Sequence, residues 1–527
     1  MKGAGILIAG VWALTLVGLA QAAAATTAGR GPMVRIAQGR LEGSRVNGVE
    51  VFRAIPFAAP PIGRLRWRAP EPPASWSGVR PATEFGPECM QPDLMGRTGK
   101  MSEDCLTLNV WTPTERRADA RLPVMVWIYG GAFVWGSGSR YDGANLARRG
   151  MVVVTFNYRL GWFGFFAHPA ILAGQKSGPI GDFGLLDQIA ALKWVRANIA
   201  AFGGDPSRIT IAGESAGGMS VNDLLVAPMA RGVFQGAISE SSFARSPGLA
   251  LSGPVSAEDA ALKLASSLGL KGEGAAAAAA LRALPADKLN HPPTDLLSPE
   301  RPQPIVGGRV LPENPADAFA QGREARVPLI EGGNSFEASL FPTLMTDPAA
   351  WRARLGPSGA PILALFADEP QPRAAADIFT DQEVIEPDRF MAAEMEKAGA
   401  PAWNYYFAYL PAAERSELPG VPHGGEIGFV FGTLPKKPIN YGPIHIAPAV
   451  PADYAMSGKI QAYWAAFIKN GDPDSAGGPA WPRWTPSSQT VMVFSDEGPK
   501  AVDHFEQKRL DALQSLADRA GGGTPAH

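Results

Sequence analysis

The chain has 527 residues and a formal net charge of −2, and 46% of its residues are hydrophobic while 19% are charged. This composition describes a globular protein with ample core, and it excludes a strongly basic nucleic-acid-binding protein as well as a disordered chain. The length allows two or more average domains, but it also fits one large α/β enzyme with long insertions.

The first segment of the chain has the organisation of a secretory signal peptide. Lys2 is its only charged side chain, an apolar stretch runs from Ile6 to Ala20, and Ala20 and Ala22 form an A-x-A pattern. We therefore predict a signal peptide over residues 1–22, cleavage after Ala22, and a secreted or periplasmic protein. A retained membrane anchor is the alternative, but the apolar core is short for a span, so we expect no stable anchor.

The two cysteines of the chain, Cys89 and Cys105, lie sixteen positions apart. In an exported protein, a disulfide is the natural interpretation, because oxidising compartments favour paired cysteines. Two free buried thiols are the alternative. Metal binding is not expected, since no neighbouring histidine or further cysteine completes a set of ligands.

Several apolar, β-rich runs end in glycine or a turn, and they predict buried strands of one large sheet. In chain order the runs are Leu122 to Gly131, Met151 to Gly161, Ile209 to Gly213, Val327 to Asn334 and Trp403 to Leu410. Between the second and third runs, apolar residues from Leu185 to Ile199 share one helical face, and this predicted helix ends at Gly203. Strands that alternate with such helices predict an α/β fold.

The character of the sequence changes from about residue 255 to residue 315, where an alanine-rich stretch is followed by a proline-rich one. Alanine favours helix and proline favours loops, so we interpret this region as a helical excursion from the sheet. A separate domain is the alternative, but strand-like segments resume beyond it. The glycine-rich residues 521–527 predict a flexible tail.

The pentapeptide from Gly213 to Gly217 fits the pattern G-x-S-x-G, with Ser215 at its centre. In this pattern a serine is presented on a sharp turn between a strand and a helix, and the glycines leave room beside it. The pattern alone is weak in a chain with 60 glycines. Its position, after a predicted strand and before a helix-compatible stretch, makes Ser215 a candidate nucleophile.

A serine hydroxyl is a poor nucleophile unless a base removes its proton, so one of the six histidines is expected to act with Ser215. His423 stands in a glycine-flanked loop after a predicted strand, which is where a catalytic base belongs. An ordinary surface-loop histidine is the alternative. The remaining histidines lack such context: His168, His291, His445, His504 and His527.

The base needs a carboxylate to orient it, and in α/β-hydrolases this acid lies between the serine and the histidine in the chain. Glu337 follows the predicted strand that ends at Asn334, and it is the candidate. Glu331, at the end of that strand and before two glycines, is the alternative.

Acyl transfer also requires donors for a developing oxyanion, usually backbone N–H groups. The run that starts at Leu122 leads into small residues that allow a substrate to approach the backbone, and the candidate donors are the N–H groups of Gly131, Ala132 and Ala216. A plain glycine turn is the alternative. Phe133 and Trp135 beside this loop are candidates for an apolar substrate pocket or for the core.

Together these segments resemble the type B carboxylesterase/lipase family, the cholinesterase-like branch of the α/β-hydrolases. The matching segments occur in order along nearly the whole mature chain. They are Phe52 to Trp67, Ser102 to Trp111, Trp127 to Phe133, Phe156 to Gly161, Gly184 to Val195, Phe202 to Pro206, Gly213 to Gly218 and Val421 to Gly432.

The resemblance implies a single α/β-hydrolase domain over residues 23–520, with a mostly parallel mixed sheet between helices and the excursion as an insertion. It implies a catalytic triad of Ser215, Glu337 and His423 below a gorge, and a disulfide between the two cysteines. Glu214 and Glu426 are similar to acids that lie beside the triad in the family without being catalytic.

The activity that the resemblance implies is hydrolysis of a small-molecule carboxylic ester through an acyl-enzyme, without a metal or an organic cofactor. The same triad acting on an amide, a carbamate or a lactone is one alternative, because specificity depends on the pocket. A non-catalytic binding protein is a remote alternative, since such relatives typically lack part of the triad.

Three departures from the family pattern concern the surroundings of the site. Cholinesterase-like members hold a quaternary ammonium on a tryptophan in the disulfide loop, but residues 90–104 contain no aromatic side chain, which disfavours choline esters. Glu337 lies in Ser-Phe-Glu-Ala where the family often has Asp-Glu-Gly. The sequence Ser-Glu-Ser-Ser at residues 239–242 replaces a more usual Gln-Ser-Gly, which predicts a different floor of the site.

Overall fold

The computed structural model of the chain describes residues 31–93, 99–175, 178, 180–290, 298, 300–341, 359–367, 369–441 and 444–519. The predicted signal peptide, the predicted tail, His291 and His527 lie outside the described residues. Among the residues that are described, no helix combines the length and the apolar character needed to cross a bilayer.

The described residues form twenty strands, most of them short. In chain order they are β1 (Met33–Ile36), β2 (Gly39–Glu42), β3 (Ser44–Val46), β4 (Val49–Pro56), β5 (Val79–Pro81), β6 (Glu88–Cys89), β7 (Met101–Ser102), β8 (Thr107–Pro113), β9 (Leu122–Ile128), β10 (Val152–Phe156), β11 (Gly204–Glu214), β12 (Gly236–Glu240), β13 (Leu249–Ala250), β14 (Ile305–Val306), β15 (Leu329–Asn334), β16 (Ala402–Phe407), β17 (Ile439–Tyr441), β18 (Ile444–Ile446), β19 (Val491–Ser495) and β20 (Gly498–Val502).

Eleven of these strands form one sheet, in the order β20-β19-β16-β15-β12-β11-β9-β10-β8-β4-β3. The strands from β19 to β10 pair in parallel, and the strands at both edges pair antiparallel. All five predicted strands belong to this sheet, as β9, β10, β11, β15 and β16. Every residue of β10 and β15 is buried, as expected of parallel strands that are covered on both faces. The predicted α/β fold is confirmed.

Helices and turns connect the strands. The α-helices of the described residues are α1 (Ala144–Ala147), α2 (Gly161–Gly164), α3 (Pro169–Leu172), α4 (Phe183–Asn198), α5 (Ala216–Val226), α6 (Ala257–Ser267), α7 (Ala275–Ala283), α8 (Pro315–Ala320), α9 (Ala360–Leu365), α10 (Gln371–Thr380), α11 (Glu386–Lys397), α12 (Ile427–Phe431), α13 (Pro451–Asn470) and α14 (Gln507–Arg519). A π-helical segment, Asp381–Ile385, joins α10 to α11.

Helix α4 is the helix predicted between the second and third strands. It continues into a 3₁₀ turn over Ile199–Phe202 and ends at Gly203, whose φ of 83° lies in the left-handed region that glycine adopts readily. Its apolar face, which includes Leu185 and Leu192, packs into the main core. Local periodicity and the C-terminal glycine therefore located this helix correctly.

The predicted excursion contains α6 and α7, and several of its alanines pack in a small apolar cluster that is separate from the main core. Ala261 and Ala278 belong to this cluster together with Trp67 and Phe183 from the body of the protein.

The disulfide between Cys89 and Cys105 is present, with 5.0 Å between the two Cα atoms. The predicted pairing of the cysteines is therefore confirmed.

Candidate active site

Ser215 lies between the end of β11 and the start of α5, in the centre of the sheet. Its φ of 58° and ψ of −126° are rare for a residue with a side chain. The strained turn is held on both sides, because the Ser215 N–H donates to the Glu240 carbonyl at 2.9 Å and the Ser215 carbonyl accepts from the Met219 N–H at 2.8 Å. The Ser215 side chain is half-buried and thus open to a substrate.

Two glycines allow the backbone to come this close to Ser215. A Cβ atom on Gly217 would lie 2.0 Å from the Ile128 carbonyl oxygen, so α5 rests directly on the end of β9. A Cβ atom on Gly130 would lie 2.9 Å from Ser215 Cβ. The segment Gly130–Phe133, named here the oxyanion loop, therefore lies against the serine.

The oxyanion loop has an unusual backbone. Gly131, Ala132 and Phe133 have φ angles of 112°, 52° and 62°. Within the part of the chain that the structure describes, no hydrogen bond is donated by the N–H groups of Gly131, Ala132 or Ala216. These are the three predicted oxyanion donors, and Ala216 is also the first residue of α5, where the helix dipole favours negative charge.

Two aromatic residues, one at the end of this loop and one shortly after it, differ in their surroundings. Phe133 is fully buried, and its ring packs edge-on against Phe165 with 5.3 Å between the ring centroids. It therefore belongs to the core and does not line an open pocket. Trp135 is half-buried, and the Arg140 guanidinium lies 5.6 Å from the centroid of its ring.

His423 and Glu337 form a buried pair. Glu337 lies in a 3₁₀ turn that follows β15, and its Oε2 atom is 2.5 Å from His423 Nδ1. Its other oxygen, Oε1, accepts a hydrogen bond from the Asn334 N–H at 2.6 Å. Because Nδ1 faces a carboxylate, we infer that it carries the ring proton, which leaves Nε2 as the proton acceptor.

Two serine hydroxyls join the loop of the acid to the loop of the histidine. The His423 N–H donates to Ser339 Oγ at 2.8 Å, and the Val421 N–H donates to Ser335 Oγ at 2.9 Å. Both serines were missed by the sequence analysis. Their partners lie 84 and 86 positions away, so no local pattern could reveal them.

The second ring nitrogen of His423 faces the residue that precedes Ser215. His423 Nε2 lies 3.1 Å from Glu214 Oε1, which is within ion-pair distance for a protonated ring. The atoms are not aligned for a hydrogen bond, and Nε2 has no hydrogen-bond partner within the described residues. Ser215 Oγ therefore makes no hydrogen bond with His423 Nε2 in this structure. The structure does bring the carboxylates of Glu214 and Glu337 together around the imidazole of His423.

Burial and charge act in opposite directions on this group. Burial lowers the pKa of His423, but the negative charges of Glu214 and Glu337 and the hydrogen bond that the ring donates to Glu337 outweigh it, so the pKa is raised above its usual value. Burial raises the pKa of Glu214 to about 7, although attraction to His423 opposes this rise. Glu214 thus titrates close to neutral pH.

Two more buried acids lie behind the site. Glu240 is the partner of Glu214 in the pairing of β11 with β12, and its Oε1 atom accepts a hydrogen bond from Trp464 Nε1 at 2.7 Å. Glu426 accepts a hydrogen bond from the side-chain amide of Asn334. Burial raises the pKa of Glu240 to about 8 and the pKa of Glu426 well above its usual range, so both side chains favour the neutral form.

The alternative acid, Glu331, lies elsewhere in the core. Its carboxyl group is fully buried, and it interacts with Ser239 and Asp388 and not with His423. Of the other described histidines, His168 lies at the start of α3, where its Nδ1 accepts from the Ala170 N–H at 3.1 Å. His445 lies in β18.

The chain is similar in sequence and in structure to known esterases. The carboxylesterase family model matches residues 30–354 and 367–513, ranges that include Ser215, Glu337 and His423. The para-nitrobenzyl esterase of Bacillus subtilis (strain 168) is 36% identical over 91% of this chain and 98% of its own length. The fumonisin B1 esterase of Sphingopyxis macrogoltabida is 36% identical over 85% of this chain and 84% of its own length. A solved structure of a PNB esterase has a TM-score of 0.77 and 33% identity, covering 91% of this chain and 99% of that one.

Proposed function

Because this chain belongs to the carboxylesterase family and is a carboxylic ester hydrolase, we propose that it acts through an acyl-enzyme on Ser215, with His423 as the base and Glu337 as the acid that orients it. One observation carries the proposal: the His423 ring is bonded to Glu337 through Nδ1 at 2.5 Å while its Nε2 atom has no hydrogen-bond partner within the described residues. A base prepared in this way can accept the proton of Ser215.

Acylation begins when Ser215 Oγ attacks the ester carbonyl carbon and its proton passes to His423 Nε2. The carbonyl oxygen becomes an oxyanion, and the N–H groups of Gly131, Ala132 and Ala216 stabilise its charge. When the tetrahedral intermediate collapses, the bond to the alcohol oxygen breaks. The proton on Nε2 passes to the departing alcohol, and the acyl group stays on Ser215.

Deacylation repeats these steps with water as the nucleophile. His423 Nε2 takes a proton from water, the resulting hydroxide attacks the acyl carbon, and Ser215 leaves with the proton that the imidazole returns. The products are one alcohol and one carboxylic acid per ester. Glu337 keeps its charge throughout and stabilises the imidazolium that forms in each half.

The substrate class that we propose is a small-molecule carboxylic ester. Two relatives that are each 36% identical to this chain are named para-nitrobenzyl esterase and fumonisin B1 esterase, and they support this class. Choline esters are not expected as dedicated substrates, because residues 90–104 offer no aromatic ring for a quaternary ammonium group.

We also propose export, with residues 1–22 removed. The apolar stretch from Ile6 to Ala20 and the disulfide between Cys89 and Cys105 support this, since disulfides persist in oxidising compartments. Sequencing the N-terminus of protein recovered from the periplasm and the medium tests it. A mature chain that still starts at Met1 would contradict the proposal.

The experiment for the proposed function is hydrolysis of p-nitrophenyl esters from acetate to long acyl chains. We expect the wild type to release p-nitrophenol with a burst equal to the concentration of active sites, and Ser215→Ala to lose the burst and at least about a thousandfold in kcat. The length profile then measures the acyl pocket.

The matched control is Ser266→Ala, which removes an exposed serine hydroxyl from α6. We expect this variant to retain the burst and the kcat of the wild type. If Ser215→Ala keeps the burst, the nucleophile is a different residue and the proposed mechanism is wrong.

A further inference from the structure

Arg301 connects the excursion to the oxyanion loop. Its Nη1 atom donates a hydrogen bond to the Ala132 carbonyl oxygen at 3.2 Å, across 169 positions of sequence. The Arg301 side chain is half-buried. A guanidinium that bonds a carbonyl forms a charge-assisted hydrogen bond, which is stronger than one between neutral groups. The contact therefore holds one peptide group of the loop from outside the sheet.

The loop needs such support because Ala132 and Phe133 both have positive φ angles, of 52° and 62°. Residues with a side chain persist in this region only when surrounding contacts hold them there. The peptide before Ala132 is held by the Gly131 carbonyl, which accepts from the N–H groups of Val134 at 2.9 Å and Trp135 at 3.1 Å. Phe133 is held by its buried ring and by its carbonyl, which accepts from the Gly161 N–H at 2.8 Å.

Arg301 adds the hydrogen bond to the carbonyl that lies between these two, in the peptide that joins Ala132 to Phe133. Holding that peptide restricts rotation about the Cα–C bond of Ala132. Together with the contacts of the Gly131 carbonyl on the other side, it limits movement of the residue whose N–H is the candidate donor. Ala132 has only a methyl group, so its own side chain adds little to fix the turn. The carbonyl contact with Arg301 thus restrains one of the three N–H groups assigned to the oxyanion.

We propose that Arg301 is a positioning residue for catalysis, which holds the Ala132 N–H toward the tetrahedral oxyanion. The inference rests on the proposed function of Ser215 and extends it to a residue of the excursion. Arg301 acts through Ala132 and does not touch the substrate. Because an oxyanion donor contributes most when the oxygen carries charge, loss of Arg301 lowers kcat much more than it changes KM.

A second arginine of the excursion provides the matched control. Arg282, in α7, also donates to a backbone carbonyl of the protein body, from Nε to Arg66 O at 3.0 Å. Its hydrogen bond is made to Arg66 and not to the oxyanion loop. Replacing Arg282 therefore reports what loosening the excursion does by itself.

The experiment compares Arg301→Met, Arg301→Lys and Arg282→Met with the wild type. The readouts are kcat and KM for p-nitrophenyl acetate, the thermal midpoint, and the inhibition constant of an alkyl trifluoromethyl ketone, whose serine adduct carries an oxyanion. We expect Arg301→Met to lower kcat about tenfold, which is less than the loss of a hundredfold or more that follows deletion of an oxyanion donor. The inhibition constant of the ketone should rise by a similar factor, and KM should stay nearly unchanged.

Arg301→Lys keeps a cationic donor at the position, so we expect an intermediate kcat and ketone affinity. If Arg301→Met does not fold, the inference is tested with Arg301→Lys alone. We expect Arg282→Met to keep both wild-type values even where its thermal midpoint falls.

Three outcomes would overturn the inference. They are wild-type kcat and ketone affinity in both Arg301 variants, a change in KM alone, or equal losses of kcat in Arg301→Met and Arg282→Met. If the wild type lacks Ser215-dependent hydrolysis, the proposed function fails first and this inference falls with it. If hydrolysis depends on Ser215 but not on Arg301, only the inference about Arg301 is wrong.

Discussion

The Glu337 Oε2 atom lies 2.5 Å from His423 Nδ1, although 86 positions of sequence separate the two residues. Both side chains are buried, and the contact fixes which ring nitrogen bears the proton. The remaining nitrogen, Nε2, then faces the end of β11, where Glu214 and Ser215 lie. The direction of proton transfer in the proposed mechanism follows from this single contact.

Replacing Glu337 by glutamine tests that contact. The amide has the shape of the carboxylate, but it cannot stabilise an imidazolium, and it allows the ring to adopt the wrong tautomer. We expect kcat for p-nitrophenyl acetate to fall roughly 10³- to 10⁴-fold with a small change in KM, as such changes do in other serine hydrolases.

Glu331→Gln is the control for the loss of a buried carboxylate. Glu331 lies on β15 in the same region of the chain, but it does not contact His423. We expect its kcat to stay within a few-fold of the wild type. Equal losses in the two variants would contradict the assignment of Glu337 as the orienting acid.

Glu214→Gln tests the electrostatics of the base. The charge of Glu214 raises the pKa of His423, and the ring must be neutral to accept a proton from Ser215. Activity therefore rises as the pH passes upward through the pKa of His423, and removing the negative charge lowers that pKa. We expect the acidic limb of the kcat/KM profile to move to lower pH, measured by initial rates across the limb.

The position of this limb belongs to the coupled pair, because Glu214 itself has a pKa of about 7. Ser266→Ala serves as the control, and its limb is expected to match that of the wild type. A shift of the limb to higher pH in Glu214→Gln would show that this carboxylate does not stabilise the protonated ring.

Local patterns in the sequence were sufficient to predict the elements that carry the site. Strand β11, the turn at Ser215 and helix α5 follow one another within a few residues, so their order is visible without a structure. The strand begins at Gly204, earlier than the predicted Ile209, because Gly204 pairs with Leu122 before a shift of register. The earlier start of β11 thus depends on its pairing with β9, and the polar residues at its start do not predict it.

Contacts between distant segments could not be predicted in this way. Ser339 and Arg301 have no special neighbours in sequence, and their partners are 84 and 169 positions away. The place of Phe133 was also open, because its ring packs against Phe165, a contact that no local pattern shows. The family resemblance names the candidate residues of the site, while the fold decides which of them are in contact.

Glu240→Gln tests the buried acid opposite Glu214. Burial raises the pKa of Glu240 from about 4.5 to about 8 in the folded protein. The unfolded chain thus loses this proton at lower pH than the folded chain, so the contribution of Glu240 to stability is fully present below pH 4.5 and is lost as the pH rises through about 8. Glutamine does not titrate and still offers an oxygen to Trp464.

We therefore expect the thermal midpoint of Glu240→Gln, relative to the wild type, to increase as the pH is raised from 4.5 to above 8. Scanning calorimetry in a series of buffers measures this difference. Glu497→Gln, which removes an exposed glutamate between β19 and β20, is the control for the loss of a carboxylate. A difference for Glu240→Gln that is constant with pH would mean that the side chain ionises as readily inside the protein as outside it.

Gly217→Ala tests how tightly the serine turn is packed against the sheet. A Cβ atom at this position would lie 2.0 Å from the Ile128 carbonyl oxygen, and both groups are backbone, so neither can move aside alone. The start of α5 would have to shift away from β9, which would displace Ser215 and the Ala216 N–H. We expect a loss of about 3 kcal/mol or more in the free energy of unfolding and a large loss of kcat.

Gly458→Ala is the matched control, because a Cβ atom on Gly458 in helix α13 would meet nothing within 4 Å. Alanine favours helix over glycine, so this variant should gain up to about 1 kcal/mol in stability and keep its activity. Denaturant unfolding and kcat for both variants provide the comparison. If Gly217→Ala were as stable and as active as Gly458→Ala, the close packing of α5 on β9 could not be what holds Ser215 in its strained conformation.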